Sequence, residues 1–305
     1  MILKFVCILL IMTTTQPMRS DWTVRGHVPP DQFVVQAHRG AGELAEENTL
    51  EAFQLGWKLG CVPESDLRTT RDGVIVAFHD DNFLRVVKNV PESMKQKGVK
   101  DLTFDELQKL DVGSWKGDQF KGRHVSRMTE VFALMQGKAH RRLYLDIKNV
   151  DLEQLARELK QYNVEKQVIL ASTKYEIVRK WKALVPESAT LLWMGGTEAQ
   201  LNKRFEELRK TDFADVTQLQ IHTHLLKDAG EVTRDSVNPF AESDGFLIAR
   251  GEELRRHGIL YQTLPYGGTI PGVYAKLLDL GIMSFATDHP DVTWEAVKKY
   301  YAEEK

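Results

Sequence analysis

The chain has 305 residues, enough for one large domain or two small ones. Its 42% hydrophobic and 28% charged residues exclude a disordered, collagen-like or coiled-coil chain. With 41 basic against 43 acidic side chains, the net charge of −2 lacks the footprint of a nucleic-acid binder.

The N-terminus differs from the rest. Lys4 supplies a charge, FVCILLIM an apolar core, and TTTQPMRS a small polar end. This layout predicts a signal peptide over residues 1–20 and a secreted or periplasmic mature domain over 21–305. The competing reading is a buried N-terminal strand. Cys7 comes too early to be a lipoprotein acceptor. After residue 12 no apolar run approaches the ~18 residues of a membrane helix, so no stable membrane span is expected. The two cysteines, Cys7 and Cys61, exclude a disulfide framework and a CxxC zinc site.

From residue 33 short β-rich runs alternate with helical patterns. FVVQA (33–37) precedes Leu50, Phe53 and Trp57, spaced as one helix face. VPESDL (62–67) and VIVAFH (74–79) are joined by a turn at Arg71-Asp72-Gly73. Residues 80–125 read as irregular and polar. RLYLDI (142–147), QVILAS (167–172), TLLWMG (190–195), VTQLQIH (216–222), ILYQTLP (259–265) and MSFATD (283–288) each lead into a helical pattern. Eight strand–helix units predict an α/β fold, a (β/α)8 TIM barrel with an insertion after the second strand region. The rival open doubly wound sheet expects a third glycine after the first strand, which HRGAG lacks.

In such a barrel the chemistry sits at the C-terminal strand ends. Glu64 and Asp66, two apart on a strand, point to one face. Paired carboxylates both ionise only beside a cation, and Asp146 adds a third hard oxygen. Such a set suits Mg²⁺ or Ca²⁺ over zinc. His38 and His79 can divide acid and base roles. Arg39 offers a fork for phosphate oxygens, and Lys148, facing the same way as Asp146, can neutralise another. This inventory fits phosphoryl transfer on a small-molecule phosphodiester. His222 and His224 read as core or surface residues, whereas Trp193 and Tyr261 either wall the pocket or fill the barrel.

HRG (38–40), ENTLEAF (47–53), ESD (64–66), TTRDGVIVAFHD (69–80), LDIK (145–148) and FATDHPD (285–291) resemble the glycerophosphodiester phosphodiesterase family. The resemblance implies a (β/α)8 barrel, a divalent cation, and cleavage of glycerophosphodiesters to glycerol 3-phosphate and an alcohol. It implies that His38 and His79 are the acid/base pair, that Arg39 binds phosphate, and that Glu64 and Asp66 are metal ligands. Asn48 would help hold the rim near the phosphate.

Several positions depart from the family pattern. Asp146 stands where Glu is usual. HDDNFLRVV keeps Arg85 but lacks the family's Thr pair. LAST and YQTLP differ on strands that line the alcohol side, so the leaving group stays open; the sequence also leaves the oligomeric state open. The rival functions are a phospholipase D-like enzyme acting on intact or lyso-phospholipids, a non-catalytic phosphodiester-binding barrel, and a barrel glycosidase. The phospholipase D reading needs an exposed apolar rim. The binding protein would have lost a histidine or carboxylate, and none is missing. A glycosidase would leave Arg39 and Lys148 unexplained.

Overall fold

The computed structural model describes residues 22–303; the expected signal segment, 1–20, lies outside them. The elements are α1 (Val24–His27), β1 (Val34–Ala37), α2 (Leu50–Lys58), β2 (Val62–Thr69), β3 (Ile75–Ala77), α3 (Phe104–Leu107) and α4 (Met128–Met135). They continue through β4 (Leu143–Asn149), α5 (Leu152–Tyr162), β5 (Val168–Ser172), α6 (Tyr175–Leu184), β6 (Ala189–Met194) and α7 (Glu198–Arg209). The last are β7 (Gln218–His224), α8 (Asp244–Arg256), β8 (Leu260–Tyr266), α9 (Pro271–Asp279), β9 (Ser284–Thr287) and α10 (Pro290–Ala302).

Eight parallel strands run in the order β1-β9-β8-β7-β6-β5-β4-β2, and β2 pairs back with β1 to close the barrel. The expected extra strand is β3, antiparallel to β2 with Leu67 opposite Ala77 and Thr69 opposite Ile75.

Period-two alternation sorts the strand residues. Leu143, Leu145, Leu170, Leu192, Leu219 and Tyr261 point outward into the layer shared with the helices, against Leu155, Trp181 and Phe205. Tyr261 is wholly buried there, so it neither walls the pocket nor fills the barrel. The inward set includes Val34, Val62, Tyr144, Ile169 and Leu191, together with buried Gln36, Gln218, Gln220, Gln262 and Ser284.

Polar side chains start the helices. Thr49 accepts from the Ala52 N–H, Asp151 from Glu153 and Gln154, and Ser243 from Phe246. Thr197 and Gln200 form a capping box.

The insertion holds a small core of its own. Phe78, Phe83, Val99, Leu102, Leu107 and Val125 are buried together, beneath short 3₁₀ turns and α3. Its apolar residues were hidden in the sequence by their lack of period, because turns rather than regular elements carry them.

Candidate active site

The site is built where β1, β2, β3 and β4 end. Beyond Ala37 the chain turns sharply. Gly40 takes φ +114°, and a Cβ there would lie 2.8 Å from that of Ala52; only glycine lets α2 approach this closely. Arg39 and Asn48 both have left-handed backbones, with φ of 54° and 57°. That conformation is uncommon for arginine and marks a constrained turn. It aims the Arg39 N–H at Glu64 Oε2, 2.7 Å away, while the Asn48 N–H donates to the Arg39 carbonyl at 2.9 Å.

Asp66 pairs in register with Asp146 on the neighbouring strand. One carboxylate oxygen from each of Glu64, Asp66 and Asp146 lies within 4.8 Å of the others. Glu64 and Asp66 are almost wholly buried. Burial, and then the neighbouring Asp66 carboxylate, push Glu64 up to about 8. Burial also raises Asp146, with Lys148 opposing. Asp66 feels the same burial, but Lys148, His79 and His38 outweigh it and hold its pKa below the ordinary value.

Lys148 Nζ sits between two of the three, 2.7 Å from Asp146 and 3.0 Å from Asp66. The sequence reading aimed Lys148 at a phosphate; here its contacts are the carboxylates. Asn48 is likewise committed to Asp66. Its Nδ2 donates to Asp66 Oδ2 at 2.9 Å, and its Oδ1 accepts from the Asp66 N–H at 2.9 Å. It holds the rim through that carboxylate.

Each histidine is anchored through Nδ1. His38 Nδ1 lies 2.6 Å from Asp288 Oδ1, and His79 Nδ1 lies 2.6 Å from Asp80 Oδ1. This leaves Nε2 of each ring as the free nitrogen. Burial works against charge on His38, but Asp288 and Glu64 prevail and raise it to about 8. The carbonyl of His79 is gripped by Arg68 Nε and Nη2, at 3.1 and 2.7 Å.

Arg85 ties the two sides together. It donates to Asp80 Oδ2 at 2.7 Å and to both oxygens of Glu47 at 2.7 and 2.6 Å. Glu47 in turn accepts from Arg39 Nη1 at 3.1 Å. Arg39 Nε is buried, 3.9 Å from Asp66, and lacks a hydrogen-bond partner among the described residues. A buried donor in that state costs free energy until an acceptor arrives, so the site suits an anion.

His38, Arg39, Glu64, His79, Asp146 and Lys148 line one side of a cavity of about 170 Å³. Gln36, on the same strand as His38, also lines it, and the residues at the other side include Trp193, His222, Leu264 and Tyr266. The trio offers hard, buried oxygens that repel one another, the donor set a divalent cation fits.

A sequence profile of the glycerophosphoryl diester phosphodiesterase family matches residues 38–292. The chain belongs to that family. Among its relatives is a glycerophosphodiester phosphodiesterase of Caldanaerobacter subterraneus subsp. tengcongensis, 32% identical over 160 residues. That match covers 50% of this chain and 63% of the relative, a little under two thirds of its length. A human lysophospholipase D is 32% identical over 155 residues, covering 47% of this chain and 46% of that one. In the solved structures, an Oleispira antarctica phosphodiesterase in complex with the product sn-glycerol-3-phosphate superposes with a TM-score of 0.61 at 24% identity. It covers 91% of this chain and 100% of the other, and shows the same barrel.

All the strand-end residues singled out from the sequence of this phosphodiesterase-family chain meet at this mouth. Three partners were missed as such: Asp288, Asp80 and Glu47. Asp288 and Asp80 stand at strand ends beside a histidine, the one signal available; Glu47 lay in a matched motif without a role. His222 is neither core nor surface: it stacks on Trp193 at the cavity wall, ring centroids 4.9 Å apart. His224 is exposed and stacks on Tyr266.

Proposed function

We propose that the chain hydrolyses glycerophosphodiesters to glycerol 3-phosphate and an alcohol. The observation that carries this reading is the convergence, in one cavity, of three mutually repelling carboxylates, two carboxylate-anchored histidines and an unsatisfied Arg39 donor.

Glu64, Asp66 and Asp146 would hold a Ca²⁺ or Mg²⁺ ion. When bound, that ion supplies Lewis-acid polarisation of the phosphoryl group and lowers the pKa of an oxygen nucleophile. The Arg39 guanidinium, fixed by Glu47, binds a non-bridging phosphate oxygen. His38 and His79 handle the protons: one takes a proton from the nucleophile, and the other gives a proton to the leaving alkoxide. His38, raised to about 8, holds a proton at neutral pH and is placed to be the donor. Asp288 and Asp80 keep each ring oriented and stabilise its charged form. Lys148 keeps Asp66 ionised.

Support for a small polar substrate comes from the cavity's about 170 Å³, below the ~300–1,000 Å³ of drug-sized sites. An acyl chain would have to lie outside it. No described helix is long and apolar enough to cross a membrane. Residues 1–20 support export, which is tested by sequencing the N-terminus of the chain recovered from the medium or periplasm.

The test of function is a panel of glycerophosphodiesters and lysophospholipids, each with Ca²⁺ or Mg²⁺ and with products identified. Release of glycerol 3-phosphate from glycerophosphodiesters is expected. Turnover of lysophospholipids alone would replace this reading with the lysophospholipase D one.

A further inference from the structure

His79 stands just past the end of its strand. β3 stays paired with β2 as far as Ala77, opposite Leu67. One more backbone rung follows, from the Phe78 N–H to the Asp66 carbonyl at 2.8 Å. There the ladder stops. The next carbonyl, that of His79, is met by a side chain: Arg68 Nε and Nη2 both donate to it, at 3.1 and 2.7 Å. A charged, planar fork takes the place of the missing rung.

Arg68 belongs to the rigid part of the barrel. It lies on β2, two residues beyond Asp66 and on the same face. Its side chain is 17% exposed, and its other partner, Asp81 at 2.8 Å, is 90% exposed. An ion pair to so exposed a carboxylate is worth little, so the grip on the His79 carbonyl is the contact that matters. Arg68 does not line the catalytic cavity. It lines a separate one of about 320 Å³, between the ends of β2 and β4 and the insertion at Gly98 and Lys100.

The ring and the main chain of His79 are thus held by different groups. Asp80 takes Nδ1 and decides which nitrogen is free. It is the next residue along, so it fixes the tautomer better than the position. Arg85, which holds Asp80, is itself 41% exposed and stands on the insertion.

We infer that Arg68 is a positioning residue for the reaction. Its guanidinium ties the main chain of His79 to the strand that carries Asp66, and so keeps Nε2 in one place relative to the three carboxylates. This rests on the phosphodiesterase reading above and adds to it a residue that touches neither diester nor ion.

Arg68→Met keeps the stem and removes the donors. On glycerophosphodiesters in Ca²⁺ buffer it should lower kcat about 10- to 100-fold, with KM and Ca²⁺ affinity within about threefold of wild type. General loosening of the fold would not split the constants in that way. In nitrogen NMR spectra the His79 ring should keep a protonated Nδ1, because Asp80 is untouched, yet give broadened or doubled signals where wild type gives a single set. Arg68→Lys restores a charged donor and should recover part of kcat, whereas Arg68→Gln should recover less. Asp81→Asn should leave kcat unchanged.

A folded Arg68→Met with wild-type kcat and a single set of His79 signals would overturn the inference. So would a loss confined to KM or Ca²⁺ affinity, or an equal loss in Asp81→Asn. Should Arg68→Met fail to fold, equal kcat in Arg68→Lys and Arg68→Gln would overturn it, and higher kcat in Arg68→Lys would support it. A wild type inert on glycerophosphodiesters and on bis(p-nitrophenyl) phosphate sinks the phosphodiesterase reading instead; the His79 signals of wild type and variants then decide whether Arg68 holds the ring in place.

Discussion

On the β1, β2 and β4 side of the cavity, charge answers charge. Lys148 lies between Asp66 and Asp146, Arg39 beside Glu47, and His38 against Asp288. On the side of β7 and β8 the buried polar groups are amides, a hydroxyl and an imidazole that burial pushes down to about 4, joined by Gln220, Gln262 and His222. A reaction at phosphorus develops charge, so the charged side serves chemistry through preorganised electrostatics. The uncharged side can bind an arm of the substrate without disturbing those pKa values. Substitutions on the two sides should therefore differ in kind: kcat and metal affinity on one, discrimination between ligands on the other.

The largest break should come from His38→Ala or His79→Ala, each lowering kcat by ~10²–10⁴, the range for one acid/base group. Steady-state kinetics on a purified, folded variant checks it, and near wild-type kcat in either would remove that residue from the mechanism. Next in size is Asp146. Asp146→Asn should weaken metal affinity about tenfold or more, because ligand charge sets the affinity of oxygen sites. Asp146→Glu should retain or improve it. Titration of the metal against turnover separates the two, and an Asn variant that binds as tightly as wild type would leave the ion to Glu64 and Asp66.

Arg85→Ala should cost roughly tenfold in kcat, as for other groups that orient a reacting side chain. It frees Asp80 and Glu47 together, so both His79 and Arg39 lose their hold. Partial rescue by Arg85→Lys would support positioning over bulk packing. A pH effect is expected of the metal site as well. Glu64, raised to about 8 in the ion-free chain, must lose its proton to admit a cation. Ca²⁺ affinity measured by calorimetry should therefore climb with pH up to about 8 and level off above it. A flat profile would show that Glu64 is not protonated, or not a ligand. The smallest change is expected from Trp193→Phe. Its Nε1 lies 3.4 Å from Asp146 Oδ1, beyond a good hydrogen bond, so kcat should move by less than ~3-fold.

The charged side was legible in the sequence because its residues follow short-range rules. Glu64 and Asp66 share a face by the period of two, and strand ends in a barrel point to one rim. The partners Asp288 and Glu47 were not, because no local rule joins His38 to a residue 250 positions away. The uncharged side was hidden for another reason. Gln218, Gln220 and His222 alternate with apolar residues, which reads as a solvated face, yet both faces of a barrel strand are buried. The eight strand–helix units were read in full, β3 included. What the pattern could not carry was the insertion's private core around Phe83 and Leu107, built from turns.

The most direct test is a metal titration of the full chain after exhaustive chelation, followed by elemental analysis. The expected result is loss of glycerophosphodiester turnover on chelation and its return with Ca²⁺ or Mg²⁺, in step with one ion per chain. Full turnover with no ion detected would contradict the assignment of Glu64, Asp66 and Asp146 as a cation site.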